Sequence, residues 1–265
     1  MQKINLIDAE KSDIKYNIFK FPDGEVQISL EEFSHKEPIQ VLARITNAEE
    51  LFIISQLIDI LNRHEVEYDI CLTYLMGMRM DRVMDFNRPF TLKVISNILS
   101  EANSISILEA HSQVINKFLS VRFYSYDWSF IYKDYAKNYQ IVFPDAGAKA
   151  RYGKKMEGDI ITCSKTRDLE SGKILGIKIN NPEQLTGQPL LIIDDLCDGG
   201  GTFCGIANEF NKLGVDKSRL NIIVTHMVNP KGIENLSKNF NHVWFTNSYK
   251  DWDNLPDNVS MEKIK

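Results

Sequence analysis

The sequence predicts an α/β protein whose parallel sheets are flanked by helices and divided between two domains. Apolar, strand-like runs alternate with stretches of helical periodicity along the chain, and this alternation is typical of βαβ units. The strand-like runs are continuously apolar, as expected of parallel strands that are buried on both faces. A boundary near Ser125 to Trp128 separates two α/β halves of similar size, 1–126 and 127–265.

In the first half, the helices are predicted from caps and from periodicity. Asn47 can cap a helix whose apolar residues fall on one face: Leu51, Ile54, Leu57, Ile58 and Leu61. Pro89 opens a second helix, over 89–102, at the first helical position, where proline is tolerated. A short helix joins the last two strands. The predicted strands cover 38–45, 68–76, 105–110 and 121–126.

The second half begins with a predicted helix over 128–139 and continues mainly as strands. Thr202 to Leu213 is predicted to be a helix, and Gly214 ends it. The predicted strands cover 140–145, 158–163, 173–179, 189–195, 219–226 and 242–247.

Charge and composition restrict the classes of function. The 265 residues carry a formal net charge of −5, so neither a nucleic-acid partner nor an anionic membrane is indicated. The apolar runs are shorter than the roughly 18 residues of a membrane span, and Met1 to Asn17 shows no signal-peptide pattern. The four cysteines form neither a C-x-x-C pair nor a zinc-binding spacing, which favours reduced thiols in a cytoplasmic protein.

The segment "LLIIDDLCDGGGT", 190–202, predicts a site for a phosphorylated sugar. Asp194 and Asp195 end an apolar strand, where a carboxylate needs a cation or a hydrogen-bond donor. Gly199 to Gly201 let backbone N–H groups converge at the start of a helix, which is a suitable cradle for phosphate. The two acids are then acceptors for sugar hydroxyls or ligands of Mg²⁺. The alternative interpretation is a helix cap with a tight turn.

Several segments together resemble one enzyme family. Residues 190–207 resemble the phosphoribosyl-diphosphate (PRPP) motif shared by type I phosphoribosyltransferases and PRPP synthetases, which are also called ribose-phosphate pyrophosphokinases. The synthetases are favoured by six further segments that occur in the family's order: 21–30 ("FPDGEVQISL"), 77–82 ("GMRMDR"), 89–99, 108–119, 142–152 and 163–174.

The resemblance implies two phosphoribosyltransferase-like (type I) domains related by a pseudo-two-fold axis, with the active site between them. The first domain supplies the ATP-binding elements, and the second supplies the ribose-phosphate loop and a catalytic flexible loop. In the nucleotide site, Phe21 can stack on adenine, and Asp23 and Glu25 can accept hydrogen bonds from its amino group or the ribose. Arg79 and Arg82 are suited to phosphate or nucleobase contacts.

The remaining roles concern the chemistry. His111 and Asp145 are expected to bind Mg²⁺. Lys165 and Arg167, in a polar segment that could close over the site, are the expected catalytic residues, since pyrophosphoryl transfer from ATP needs mobile cations. The predicted ribose-phosphate loop contains Asp194, Asp195, Asp198, Gly199, Gly200, Gly201 and Thr202.

The chain also departs from the family pattern. Met80 replaces a glutamine, and the segment between Arg82 and Pro89 is shorter than the Arg-rich segment of the family. The resemblance therefore does not by itself imply the family's regulation by ADP and phosphate or its usual hexamer. A homodimer or a higher homo-oligomer is expected, because in the family the F-P-D-G-E segment reaches a neighbouring subunit's site. Gly199 replaces a threonine that binds the acceptor's 5-phosphate.

Losing that hydroxyl removes a donor and opens space, which suits an acceptor with an extended phosphate such as ADP-ribose. The acceptor is therefore either ribose 5-phosphate, giving PRPP, or ADP-ribose, giving a pyrophosphorylated product for NAD resynthesis, as in PRPP-synthetase-like enzymes of phage. Two other functions remain as alternatives. A phosphoribosyltransferase would not need the ATP-binding segment at 21–30, and a non-catalytic regulatory subunit would not need Lys165 and Arg167.

Overall fold

The computed structural model describes residues 1–119, 121–126, 137–156, 158–167 and 174–264. The chain divides into two compact units, Met1–Tyr126 and Asp127–Lys265. Within the described residues, no helix is long and apolar enough to cross a membrane. The helix predicted over 128–139 lies mostly outside the described residues.

The first unit is built on a five-stranded parallel sheet with the strand order β1-β4-β5-β6-β7. An antiparallel hairpin of β2 and β3 stands apart from it. The strands are β1 (Gln2–Asn5), β2 (Tyr16–Lys20), β3 (Val26–Leu30), β4 (Ile39–Ile45), β5 (Tyr68–Leu75), β6 (Ser104–Leu108) and β7 (Arg122–Tyr126).

Helix α1 (Ala48–Arg63) begins where the sequence predicts it. The Asn47 side chain accepts a hydrogen bond from the Glu50 N–H, and all five of the predicted core positions are buried. Helix α2 (Thr91–Leu99) begins two residues after Pro89 and has no side-chain cap, so the prediction that Pro89 opens this helix is wrong. The predicted short helix before β7 is a 3₁₀ turn, Gln113–Lys117.

The second unit contains a seven-stranded sheet with the order β10-β9-β8-β11-β12-β13-β14. Only the pair β9–β10 is antiparallel; the other neighbours are parallel. The strands are β8 (Gln140–Phe143), β9 (Ile161–Arg167), β10 (Ile174–Ile179), β11 (Leu190–Cys197), β12 (Leu220–Met227), β13 (His242–Thr246) and β14 (Val259–Glu262).

Three described helices cover the second sheet: α3 (Ala146–Tyr152), α4 (Gly201–Lys212) and α5 (Pro230–Asn239). Helices α4 and α5 pack with the buried cluster that contains Leu190 and Ile192. Helix α3 packs with the cluster that contains Leu191 and Ile193. Because successive strand residues point to opposite faces, helices lie on both faces of this sheet, as the continuously apolar strands predicted.

Candidate functional site

The loop after β11 leads directly into helix α4. Asp194 and Asp195 lie within β11, which continues to Cys197, two residues beyond its predicted end. Gly200 adopts the left-handed conformation (φ +78°) and is the N-cap of α4. A side chain at this position would be strained in that conformation. The chain therefore turns abruptly from the strand into the helix, and the amino end of α4 meets the glycine run.

Helix α5, which the sequence analysis did not predict, supports this loop. The Asn229 side chain donates a hydrogen bond to the Asp198 carboxylate (3.0 Å), and the Asn235 side chain donates to the Gly199 carbonyl (2.8 Å). A Cβ at Gly232 would lie 2.1 Å from the Asp198 carbonyl oxygen, so only glycine permits this approach. The pair Asn229-Pro230, a cap followed by proline at the first helical position, is the local signal for this helix.

The acid pair is held by an arginine that the sequence analysis also missed. Arg151 Nη1 lies 2.6 Å from Asp195 Oδ1 and 3.7 Å from Asp194 Oδ1. Burial, followed by the neighbouring charge of Asp195, raises the pKa of the Asp194 carboxyl well above its ordinary value. Arg151 stands 44 residues before Asp195 in the numbering, and no local pattern links the two.

Lys165 lies in strand β9 rather than in a loop, which corrects the prediction that it belongs to a mobile segment. Its Nζ lies 2.5 Å from Asp145 Oδ2. Asp145 also caps α3 by accepting the Ala148 N–H (3.0 Å). Burial alone would raise the pKa of Asp145, but the hydrogen bonds from Lys165 and Ala148 outweigh it, and the pKa falls below its ordinary value.

Arg167, the second predicted catalytic cation, is the last residue of β9. The rest of the predicted catalytic loop, 168–173, lies outside the described residues. The role of Arg167 therefore stays a prediction.

The segment predicted to bind the nucleotide forms the turn between β2 and β3. The Phe21 N–H donates to the Glu25 carbonyl (2.7 Å), the Gly24 N–H donates to the Phe21 carbonyl (2.9 Å), and Gly24 has φ +95°. Asp23 Oδ1 accepts the Glu25 N–H (3.1 Å). Phe21 is 42% exposed, and Asp23 and Glu25 are exposed, so the turn offers an aromatic ring and acidic side chains to solvent.

Two other predicted segments lie together in the first unit. Arg79 and Arg82 are exposed after β5, and His111 is exposed after β6. Ser112 Oγ donates to Asp81 Oδ2 (2.7 Å), which joins the loops that hold these residues. Because parallel strands end on the same edge, both loops lie at the carboxyl edge of this sheet, where ligands bind in such folds.

The predicted metal ligands are His111 and Asp145, one imidazole and one carboxylate. Within the described residues, no three His, Cys, Asp or Glu side chains form a group suited to a metal ion. Asp145 does lie near enough to Asp194 for its charge to raise the pKa of that acid. Carboxylate oxygens fit the hard Mg²⁺ ion, which binds proteins through few ligands and takes others from phosphate and water.

The cysteines lie outside this chemistry. All four are free thiols. Burial raises the pKa of Cys163 to about 12, and burial with the Asp69 hydrogen bond raises that of Cys71 to about 11. Neither is a thiolate nucleophile at neutral pH.

Comparison with known proteins agrees with this geometry. No protein-family model matches the chain. The ribose-phosphate pyrophosphokinase of Bacillus caldolyticus is 26% identical over 265 residues, covering 94% of this chain and 81% of the relative. That of Corynebacterium ammoniagenes is 27% identical over 266 residues, with the same coverage. The crystal structure of phosphoribosylpyrophosphate synthetase from Mycobacterium smegmatis superposes with a TM-score of 0.77 at 17% identity, covering 96% of this chain and 88% of that one.

The parallel sheets, their flanking helices and the loop after β11 define an α/β protein of the phosphoribosyltransferase-like class. The sequence relatives are more specific. Over most of its length the chain is similar to ribose-phosphate pyrophosphokinases, which is the family that the ordered motifs predicted.

Proposed function

We propose that this protein is a diphosphotransferase that moves the β,γ-diphosphate of ATP to the anomeric hydroxyl of a ribose 5-phosphate moiety and releases AMP. One observation carries the proposal: the acid pair, the left-handed Gly200 and the amino end of α4 follow one another within a few residues. The names of the sequence relatives support the reaction.

The loop provides separate groups for the two parts of the acceptor. Backbone N–H groups of Gly199 to Thr202 and the positive end of α4 suit the phosphate. The carboxylates of Asp194 and Asp195 suit the ribose hydroxyls as hydrogen-bond acceptors, with Asp198 at the rim of the loop. This division of roles accounts for acids and a phosphate cradle being adjacent in sequence.

For the reaction, we propose that the acceptor's anomeric hydroxyl attacks the β-phosphorus of ATP in line, with AMP as the leaving group. The Lys165 ammonium is paired with Asp145, and we assign it, with Arg167, to stabilise the charge that develops on the transferred phosphates. Mg²⁺, when bound, would neutralise charge on the triphosphate, and we assign Asp145 and His111 each as a residue that would bind Mg²⁺.

The first unit is proposed to bind ATP. The exposed ring of Phe21 suits stacking on adenine, and Asp23 and Glu25 suit its amino group or ribose. Arg79 and Arg82 suit the phosphates. We also propose a homodimer in which the Phe21 turn serves the neighbouring subunit. Sedimentation that shows a fully active monomer at micromolar concentration would contradict the dimer.

ADP-ribose is a second candidate acceptor, and the backbone at Gly199 favours it. A Cβ at Gly199 would meet no atom within 4 Å, and its φ lies outside the left-handed region. The fold therefore does not require glycine here. A missing side chain beside a phosphate site leaves room for a substituent on that phosphate.

The test is to incubate the protein with ATP, Mg²⁺ and either acceptor, and to resolve the products by mass. Formation of AMP that depends on an acceptor supports the proposal, and failure with both acceptors contradicts it. Gly199→Thr is expected to raise the ratio of kcat/KM for ribose 5-phosphate over ADP-ribose by about tenfold, the value of one hydrogen bond. Gly199→Val, which fills similar space without a hydroxyl, is the matched control. A wild-type preference for ribose 5-phosphate would refute the ADP-ribose assignment.

A further inference from the structure

Helix α3 touches the candidate site at both of its ends. At its amino end, its cap Asp145 binds Lys165. At its carboxyl end, Arg151 binds Asp195 and lies close to Asp194. The helix has seven residues, so a rigid element of about two turns connects the catalytic lysine to the sugar-binding acids.

Arg151 is a cation that pairs with the buried Asp195. The Asp195 side chain is only 2% exposed and the Arg151 side chain is 21% exposed. A buried carboxylate is strongly disfavoured unless a charge or hydrogen-bond donor meets it, and the 2.6 Å contact with the guanidinium meets that requirement.

The position of the guanidinium is itself constrained. Arg151 Cζ lies 5.7 Å from the centre of the Tyr152 ring, a distance at which a cation is attracted to the ring face. Tyr152 is fully buried and stacks on Phe143. The arginine is therefore held between a fixed aromatic ring and a fixed carboxylate.

The same contact extends to the neighbouring acid. Asp194 Oδ1 accepts the backbone N–H of Asp195 (2.9 Å) and lies 3.7 Å from Arg151 Nη1. Movement of Asp195 would therefore move the group that orients Asp194. The two acids and the arginine form one unit, in which the arginine reaches both carboxylates.

We propose that Arg151 is a positioning residue for acceptor binding: by holding Asp195, it sets the orientation in which the acid pair receives the ribose hydroxyls. This inference rests on the proposed function of the loop. It predicts a specific kinetic effect, because Arg151 is assigned to the acceptor site and not to the nucleotide site.

The experiment is a double-mutant cycle of Arg151→Ala and Asp195→Asn, with initial-rate kinetics for each substrate. We expect Arg151→Ala to raise the acceptor KM by about tenfold or more, as for a hydrogen bond to a charged group, and to leave the ATP KM within about twofold. Since the arginine acts through Asp195, the double variant should lose no more acceptor affinity than the more impaired of the two single variants.

Arg151→Lys should restore part of the acceptor affinity. Lys149→Ala, an exposed residue of the same helix, is the matched control and should resemble the wild type.

Calorimetric binding of ribose 5-phosphate and of ADP-ribose to each variant separates failure of this inference from failure of the proposed function. If the wild type forms no product but binds either acceptor, the cycle is scored on binding alone. Three results would each overturn the inference: additive losses of acceptor affinity in the double variant, equal changes in the KM values for the acceptor and for ATP, or a wild type that binds neither acceptor. If Arg151→Ala fails to fold, the double variant takes its place, because it does not leave the Asp195 charge buried without its arginine. The acceptor affinity of the double variant is then compared with that of Asp195→Asn. Equal affinities support the inference, and a weaker affinity in the double variant overturns it.

Discussion

Replacing Gly232 by alanine should destabilise the second unit through one backbone contact. The new Cβ would lie 2.1 Å from the Asp198 carbonyl oxygen and 3.1 Å from the sulfur atoms of Cys197 and Met227. An ordinary contact begins near 3.4 Å, so the loop or the helix must move by about 1 Å. Overpacking of this kind costs roughly 1–3 kcal/mol, and the upper end applies because the contacted oxygen is backbone and cannot rotate away.

The higher helix propensity of alanine offsets about 1 kcal/mol of this loss. We therefore expect a net decrease of about 2 kcal/mol in the free energy of unfolding, which is roughly a 1 M shift in the urea midpoint if the slope is about 2 kcal/mol/M. Circular dichroism during urea titration measures it. Gly205→Ala is the matched control, because its Cβ would meet only atoms of the Ile177 side chain, the nearest being the methyl at 2.4 Å, and a side chain can move. If the two variants lose the same stability, or if Gly232→Ala is as stable as the wild type, the reasoning is refuted.

Three further predictions follow from single contacts. Asn47→Ala removes the cap of α1 and should lower the free energy of unfolding by about 1 kcal/mol; an unchanged urea midpoint would show that the cap contributes nothing. Burial raises the pKa of Asp81, but hydrogen bonds from Ser112 and Arg82 bring it below its ordinary value. The contribution of ionised Asp81 to the free energy of unfolding is therefore present above about pH 4 and is lost as the pH falls through the folded-state pKa. Asp81→Asn should flatten the acid limb of the curve of stability against pH, measured by urea titration. Lys165→Ala should lower kcat by roughly 10² with little change in substrate affinity, and near-normal turnover would remove Lys165 from the mechanism.

The parts of the fold that the sequence predicted are those with a local physical signal. Helix α1 has a capping asparagine and apolar residues at helical spacing, and both signals lie within one segment. The central strands β4, β5, β11 and β12 are mainly apolar and largely buried. An apolar run indicates a buried strand whatever its neighbours in the sheet are. Short edge strands such as β1 and β14 have four residues each, too few for a reliable pattern.

The candidate site shows the same division. The residues of the loop after β11 were predicted because the acids and the glycines are adjacent in sequence. Lys165 was placed in a loop because the predicted strand ended at residue 163. The extension of β9 to Arg167 depends on antiparallel pairing with β10, and the local sequence does not indicate that pairing. Arg151 was missed because its importance arises only when α3 packs beside β11. Ionic contacts between distant segments are a property of the folded chain.

The transfer of a diphosphate group is tested most directly with ATP that carries a radioactive label on its β-phosphorus, supplied with Mg²⁺ and ribose 5-phosphate or ADP-ribose. If the diphosphate is transferred, the label leaves the nucleotide and appears on the pyrophosphorylated acceptor, with unlabelled AMP formed in equal amount. Label that remains in the nucleotide as ADP, or AMP whose formation does not depend on an acceptor, would contradict this transfer.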